Sequence, residues 1–199
     1  MKTSLPGFAL IGALLATLTL PAGAALTEGA AAPDFEARAS LAGKAFNYSL
    51  KTALRKGPVV VYFYPSAYTN GCNLQAHTFA EQHDKFAAAG ASVIGVSLDS
   101  IARLNEFSAD PDYCAGKLAV ASDADGRIAR AYDLTVRERA AGRKDTRGAD
   151  IDHASVERVT YVLTPDGKVA ATIGGVAPVA NVEKALETVQ RLAAARSAR

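Results

Sequence analysis

One stretch of the sequence puts a reactive residue type where the chain changes character. "YFYPSAYTNGC", Tyr62 to Cys72, passes from a β-branched and aromatic run into a polar turn and ends on a cysteine. The chain holds 2 cysteines, Cys72 and Cys114. A thiol in the first turn of a helix meets unpaired backbone N–H groups and the positive end of the helix dipole. Both favour the thiolate, which is the nucleophilic form. Thr69 lies just upstream and could cap that turn. Its hydroxyl could instead orient the thiolate or a small oxygen-bearing substrate. Free cysteine is also among the most buried residue types. Position alone therefore leaves two readings for Cys72, inert packing and nucleophilic chemistry.

The elements that would position Cys72 are legible around it. Val59 to Tyr64 is apolar without alternation, which predicts a central strand covered on both faces, and Pro65 ends it. Thr69 to about Ala89 is helix-compatible, with Leu74, Phe79 and Phe86 at roughly helical spacing and Gly90 as the closing residue. Tyr64 and Phe63 read as core. Ala91 to Ser100 reads as a second buried strand, and Asp99 or Ser100 as the N-cap of a helix through about Phe107. Asp110 to Lys117 reads as a loop or frayed helix end. Leu118 to Gly126 reads as a short strand and turn, followed by a short helix near Arg127 to Tyr132.

Gly29 to Ala37 reads as an extended lead-in, and Arg137 to His153, polar and charged, as a long surface loop. His153 is expected to be a solvated loop residue. Arg158 to Gly175 reads as two strands around Thr-Pro-Asp-Gly-Lys, a hairpin. Asn181 to Arg196 reads as a closing amphipathic helix with Val182, Leu186, Val189 and Leu192 on one side. The order predicts an α/β fold, a three-layer sandwich with a mixed central sheet and helices on both faces.

Composition limits the function classes. The chain has 199 residues, 22 Lys and Arg against 20 Asp and Glu, and a formal charge of +2. That balance, without a basic stripe, argues against nucleic-acid binding. Lys2, the apolar run Leu5 to Leu20 and "PAGAA" describe a secretory signal peptide over residues 1–24, with the mature domain over 25–199. The apolar run is short for a membrane span, so no membrane attachment is expected after cleavage. Export, periplasmic or secreted, would place both cysteines in an oxidising compartment. Two cysteines are too few for a disulfide scaffold, and a domain of this size does not need one.

Pro65-x-x-x-Thr69-x-x-Cys72 resembles the active-site motif of the peroxiredoxins, and "YFYPSAYTNGCNLQA" is similar to the bacterioferritin-comigratory-protein (PrxQ) branch. "APDF", "GVSLDS", "ASDADGRIARAYDL" and "RVTYVLTPDGKV" resemble further segments of that family, so the likeness covers nearly all of the mature chain. It implies a thioredoxin-like fold and a thiol peroxidase that reduces hydrogen peroxide and organic hydroperoxides. Cys72 would be the peroxidatic cysteine and form a sulfenic acid. Pro65 would shield it, and Thr69 would bond the peroxide and the thiolate. Arg158 would bring a fixed positive charge, and Gln75, where relatives carry Glu or Gln, would steady the site. The resemblance implies no cofactor or metal, a thiol reductant such as a thioredoxin-like protein as partner, and a monomer.

The sequence departs from the branch at His77, where many relatives carry a resolving cysteine inside the same helix. Three readings follow for Cys114. It is the resolver, the expectation adopted here; it merely packs while an external thiol resolves Cys72; or it forms a permanent disulfide. Rival functions have less support. Cys72, His77 and His83 offer sulfur and imidazole to a soft metal, but five helical residues span about 500°, so Cys72 and His77 do not share a face. A thiol–disulfide oxidoreductase wants Cys-x-x-Cys, and no partner stands at Gln75. A thioredoxin-like binding module gives Pro65, Thr69, Cys72 and Arg158 no reason to coexist.

Overall fold

The computed structural model describes residues 25–138 and 140–198. The expected leader, residues 1–24, lies outside the described residues. Among the described residues no helix is long and apolar enough to cross a membrane.

The chain enters through a hairpin of β1 (Glu36–Leu41) and β2 (Lys44–Ser49) and a short helix α1 (Leu50–Leu54). Next come β3 (Val59–Phe63), α2 (Asn70–Ala88), β4 (Ser92–Ser97), α3 (Ile101–Ala109), β5 (Ala119–Ser122) and α4 (Arg127–Ala131). A two-stranded ribbon, β6 (Val136–Arg137) with β7 (Ser155–Val156), precedes the hairpin β8 (Val159–Leu163) and β9 (Val169–Gly174). Helix α5 (Pro178–Ser197) closes the fold. The main sheet has 7 strands in the order β2-β1-β5-β4-β3-β8-β9. β3 runs parallel to β4 and antiparallel to β8, so the sheet is mixed as expected.

β3 explains the missing alternation in its sequence. Val60, Tyr62 and Tyr64 face a core shared with α2, α3 and α5. Val59, Val61 and Phe63 face the opposite core, closed by α1 and α4. All six are at most 1% exposed, which makes β3 the rigid rail behind the site. Helix α2 packs by Phe79 and Phe86, each worth about 1.5–3 kcal/mol of burial. Gly90, at φ 73, ends it, with the Ala91 N–H returning to the Phe86 carbonyl at 2.9 Å. Leu74 is 47% exposed and does not share that face. It stands five residues from Phe79, and 500° of rotation turns it away.

Two further expectations need correction. The hairpin β1–β2 and helix α1 went unread; the hairpin turns on Ala42 and Gly43, both at positive φ (50 and 78), as a tight two-residue turn requires. Helix α5 begins at Pro178, not Asn181, because proline at the first helical position is already set for the helix. Its inner face is Asn181, Val182, Ala185, Thr188 and Val189, while Leu186 and Leu192 are only partly buried. Of the two residues expected to cap α3, Ser100 does so, accepting the Arg103 N–H at 3.3 Å.

Candidate active site

Cys72 is the third residue of α2 and is 2% exposed. Its Sγ lies 3.3 Å from Nη2 of Arg158, which donates to it. Arg158 stands just before β8, the strand antiparallel to β3, so the hairpin carries the guanidinium back over the start of α2. Its other terminal nitrogen, Nη1, donates to Oε1 of Gln75. Gly71 makes room for this approach: a Cβ there would sit 3.2 Å from Arg158 Nη2 and 3.6 Å from Pro178 Cγ.

Thr69 occupies the N-cap position of α2, but its side chain does not cap the helix. The hydroxyl donates to the Ser66 carbonyl at 2.9 Å, which leaves its lone pairs as acceptors. The Thr69 carbonyl takes the N–H groups of Cys72 and Asn73 at 2.9 and 2.8 Å. The nearest N–H groups are therefore used locally, and the guanidinium supplies the charge-assisted donor to sulfur. Pro65, half-buried, stands between Tyr64, whose N–H still pairs with Val96 of β4, and Ser66.

A second charged cluster holds this loop from behind. Asp99, fully buried, accepts from the Ala67 N–H at 2.8 Å, Ser66 Oγ at 3.1 Å and Ser97 Oγ at 2.7 Å. His153 Nε2 lies 2.8 Å from the same carboxylate. Arg103 Nε lies 2.9 Å from it, an ion pair whose angle is too far off line for a hydrogen bond. Arg103 also reaches the Ala67 carbonyl at 2.9 Å and Asp145 at 2.8 Å.

The expected surface loop is therefore in part a strap. Asp145 and Ile151 are buried, and the N–H and hydroxyl of Thr146 both donate to the Tyr68 carbonyl, at 2.8 and 3.0 Å. Tyr68 holds a left-handed conformation, φ 59, which costs a bulky residue energy unless its surroundings enforce it. The Arg147 guanidinium lies 3.3 Å from its ring centroid, and the Tyr113 ring meets it edge-on at 5.7 Å. His153 is not a solvated residue: its side chain is 13% exposed, because the β6–β7 ribbon folds it onto Asp99.

Burial works most strongly against the charge on Asp99, yet hydrogen bonds from His153, Ala67 and Ser97 outweigh it. They hold the carboxyl below its ordinary 3.8. Burial likewise opposes protonation of His153, but Asp99 overrides it and raises the imidazole above its ordinary 6.5. The depressed Asp99 adds stability that is lost as pH falls through its folded value. The raised His153 adds stability that is complete below 6.5 and lost as pH rises through its folded value. The strap is thus held best between about pH 4 and 6.5. Accordingly, the drop in thermal midpoint from pH 5.5 to pH 9 shrinks in His153→Gln by roughly 3 °C, the equivalent of about 1 kcal/mol in a domain of this size. Equal drops in both proteins would refute the coupling.

Cys114 lies in the turns after α3 and is fully buried. Burial, with the Asp110 carboxylate nearby, holds its thiol far above the ordinary range. Both cysteines are free thiols and share one core, which Tyr62 also joins. His77, at the position where the branch has a resolver, bonds the Asp112 carbonyl at 3.0 Å and pairs with Glu81 at 3.4 Å. His83 turns to Asp84. Among the described residues no cluster of three or more His, Cys, Asp or Glu side chains could hold a metal.

The fold thus brings Cys72, Thr69, Arg158 and Gln75 together, and Pro65 stands at the head of the loop that leads to them. Sequence reasoning passed over Asn181 and Thr160, which stand behind Gln75, and Asp99 behind the loop. The signal at Asn181 was a polar residue on the apolar face of α5.

Residues 29–172 match the AhpC/TSA family. The chain belongs to that family. It is 42% identical over 111 residues to the chloroplastic peroxiredoxin Q of Oryza sativa subsp. japonica, a match covering 48% of this chain and 49% of that protein. It is 30% identical over 144 residues to a putative peroxiredoxin of Mycobacterium tuberculosis, covering 72% and 84%. The chain thus spans about half the length of the rice relatives it matches. The crystal structure of peroxidoxin BcpB from Mycobacterium tuberculosis superposes with a TM-score of 0.68 at 28% identity, over 83% of this chain and 97% of that one. The bacterioferritin comigratory protein of Xanthomonas campestris gives 0.62 at 28% identity, over 78% and 91%. The thioredoxin-like sandwich and the PrxQ-like affinity expected from the sequence both hold.

Proposed function

We propose that this chain is a thiol-dependent peroxidase acting on hydrogen peroxide and organic hydroperoxides. The observation that carries the reading is the Arg158 guanidinium 3.3 Å from a buried sulfur in the first turn of α2. In the reaction, the Cys72 thiolate attacks one peroxide oxygen and the O–O bond breaks. The departing oxygen leaves with a proton as water or alcohol. Sulfur is oxidised to sulfenic acid while the peroxide is reduced. Arg158 stabilises the negative charge that moves from sulfur to the leaving oxygen. Thr69, its proton committed to Ser66, can accept from the peroxide O–H and hold it in line. Pro65 limits the approach of water.

Cys114 then attacks the oxidised sulfur, expelling water and forming a Cys72–Cys114 disulfide that an external thiol protein reduces. Cys114 must leave its pocket first, since it is fully buried there and burial disfavours its thiolate. The edge-on contact of Tyr68 with Tyr113 links the two cysteine-bearing segments, and Ala115 and Gly116, both at positive φ (52 and 66), are a natural place for the turn to open. The burial of Cys114 favours a second reading, resolution of Cys72 directly by an external thiol. One equivalent of hydrogen peroxide added to reduced protein, followed by peptide mass spectrometry, decides between them. The disulfide is expected in the wild type, and a sulfenic or sulfinic Cys72 in Cys114→Ser. Sulfenic or sulfinic Cys72 without a link in the wild type would sink the resolver.

Residues 1–24 serve as a secretory signal in this proposal, and the mature protein works as an exported monomer reduced by a thioredoxin-like partner. The N-terminal sequence of the mature protein from fractionated cells and its mass in solution test both points.

A further inference from the structure

Behind Arg158 lies a chain of amides with no exposed member. Gln75, Thr160 and Asn181 are each 0% exposed. Gln75 Nε2 donates to Asn181 Oδ1 at 2.9 Å, across 106 positions of sequence. Thr160 Oγ1 donates to the same oxygen at 2.6 Å, and Asn181 Nδ2 donates to the Ile173 carbonyl at 3.0 Å.

The sense of every link is forced. The Ile173 carbonyl can only accept, so the Asn181 amide must turn its NH2 there and its oxygen toward Gln75. An oxygen facing Gln75 can pair only with the Gln75 NH2. The Gln75 oxygen is thereby left for Arg158, whose guanidinium can only donate. With Nη1 anchored on Gln75, Nη2 is aimed at Cys72. Out of water each of these bonds is stronger, and an unpaired member costs more.

We infer that Asn181 is a positioning residue for Cys72, acting through Gln75 to aim the Arg158 guanidinium at the sulfur. This deepens the peroxidase reading and rests on it for its consequence. The aiming itself is a property of the reduced protein. Without Asn181, the Gln75 amide is free to rotate, Arg158 loses its anchor, and the thiolate loses its fixed counter-charge.

The test is the pH profile of Cys72 alkylation by iodoacetamide on reduced protein, read peptide by peptide so that Cys114 is counted separately. Asn181→Leu is expected to move the midpoint up by about one pH unit, which slows alkylation roughly tenfold at pH values below both midpoints. In an Arg158→Met background the same substitution is expected to leave the profile unmoved. Thr160→Val removes the second donor to the Asn181 oxygen but keeps its link to Gln75. It is expected to lower the thermal midpoint and leave the profile in place. Where Asn181→Leu does not fold, Gln75→Met breaks the same relay one link closer and gives the same shift, and again none beside Arg158→Met.

A wild-type profile in folded Asn181→Leu would overturn the inference. So would a shift that persists in full without Arg158, since a general loosening of the fold gives that result. No peroxide is used. A protein with the coupled shift but no peroxide turnover would keep the positioning role and lose the proposed reaction; a peroxidase without the shift would do the reverse.

Discussion

Cys72→Ser is expected to abolish the proposed peroxide consumption, to below about a thousandth of the wild-type rate. The reason is chemical as well as electrostatic. Sulfur accepts an oxygen atom as a nucleophile and survives as a sulfenic acid that a second thiol can reduce; a serine oxygen has no counterpart to that step. A serine hydroxyl also ionises far above neutral pH, and neither Arg158 nor the start of α2 closes such a gap. The exchange is nearly isosteric, so α2 and the Phe79 and Phe86 packing beneath it should stay intact. The measurement is loss of hydrogen peroxide with excess dithiothreitol, alongside circular dichroism to establish folding. Turnover above a tenth of wild type would assign the reaction elsewhere, with Cys114 the first place to look.

Arg158→Met is expected to slow the proposed peroxide-driven oxidation of Cys72 by about 10²–10³-fold, the usual consequence of removing one preorganised donor aimed at developing charge. The guanidinium does two things a methionine cannot. It supplies a fixed charge 3.3 Å from sulfur, and it spans Gln75 and Cys72 with separate nitrogens. Arg158→Lys separates these contributions. It keeps the charge but not the fork, so it should recover only part of the loss, leaving a deficit of about tenfold. Single-turnover oxidation, followed by quench and mass spectrometry, isolates the step from later reduction. Equal rates for wild type and Arg158→Met would remove Arg158 from the chemistry and leave the start of α2 as the sole activator of the thiol.

The strap over the active-site loop connects these expectations to dynamics. Tyr68 is held in the left-handed region by Thr146 and Arg147 on one side and the Asp99 cluster beneath Ser66 and Ala67 on the other. If the proposed pairing of Cys72 with Cys114 displaces that loop, the energy holding the strap enters the resolving step. The segment read from sequence as a surface loop is therefore in direct contact with the loop that precedes Cys72.

The sequence by itself determined the alternation of strands and helices apart from β1, β2, α1 and the β6–β7 ribbon, the strand leading to Cys72, the place of Cys72 in the first turn of α2, and the hairpin that carries Arg158. Each of these is a local pattern of residue type, and local patterns are set by backbone propensity and by which side of an element is apolar. Tertiary structure alone decided what stands behind them. Asn181 reads only as a polar residue on the apolar face of a helix; the closing of α5 over β8 and β9 is what puts its amide against Gln75. His153 reads as a loop histidine; only the β6–β7 ribbon brings it to Asp99, which itself read as a cap. These contacts join residues far apart in the chain, and their worth comes from burial and from the direction of each hydrogen bond. Neither leaves a trace in spacing along the sequence, because both exist only once the helices have packed against the sheet.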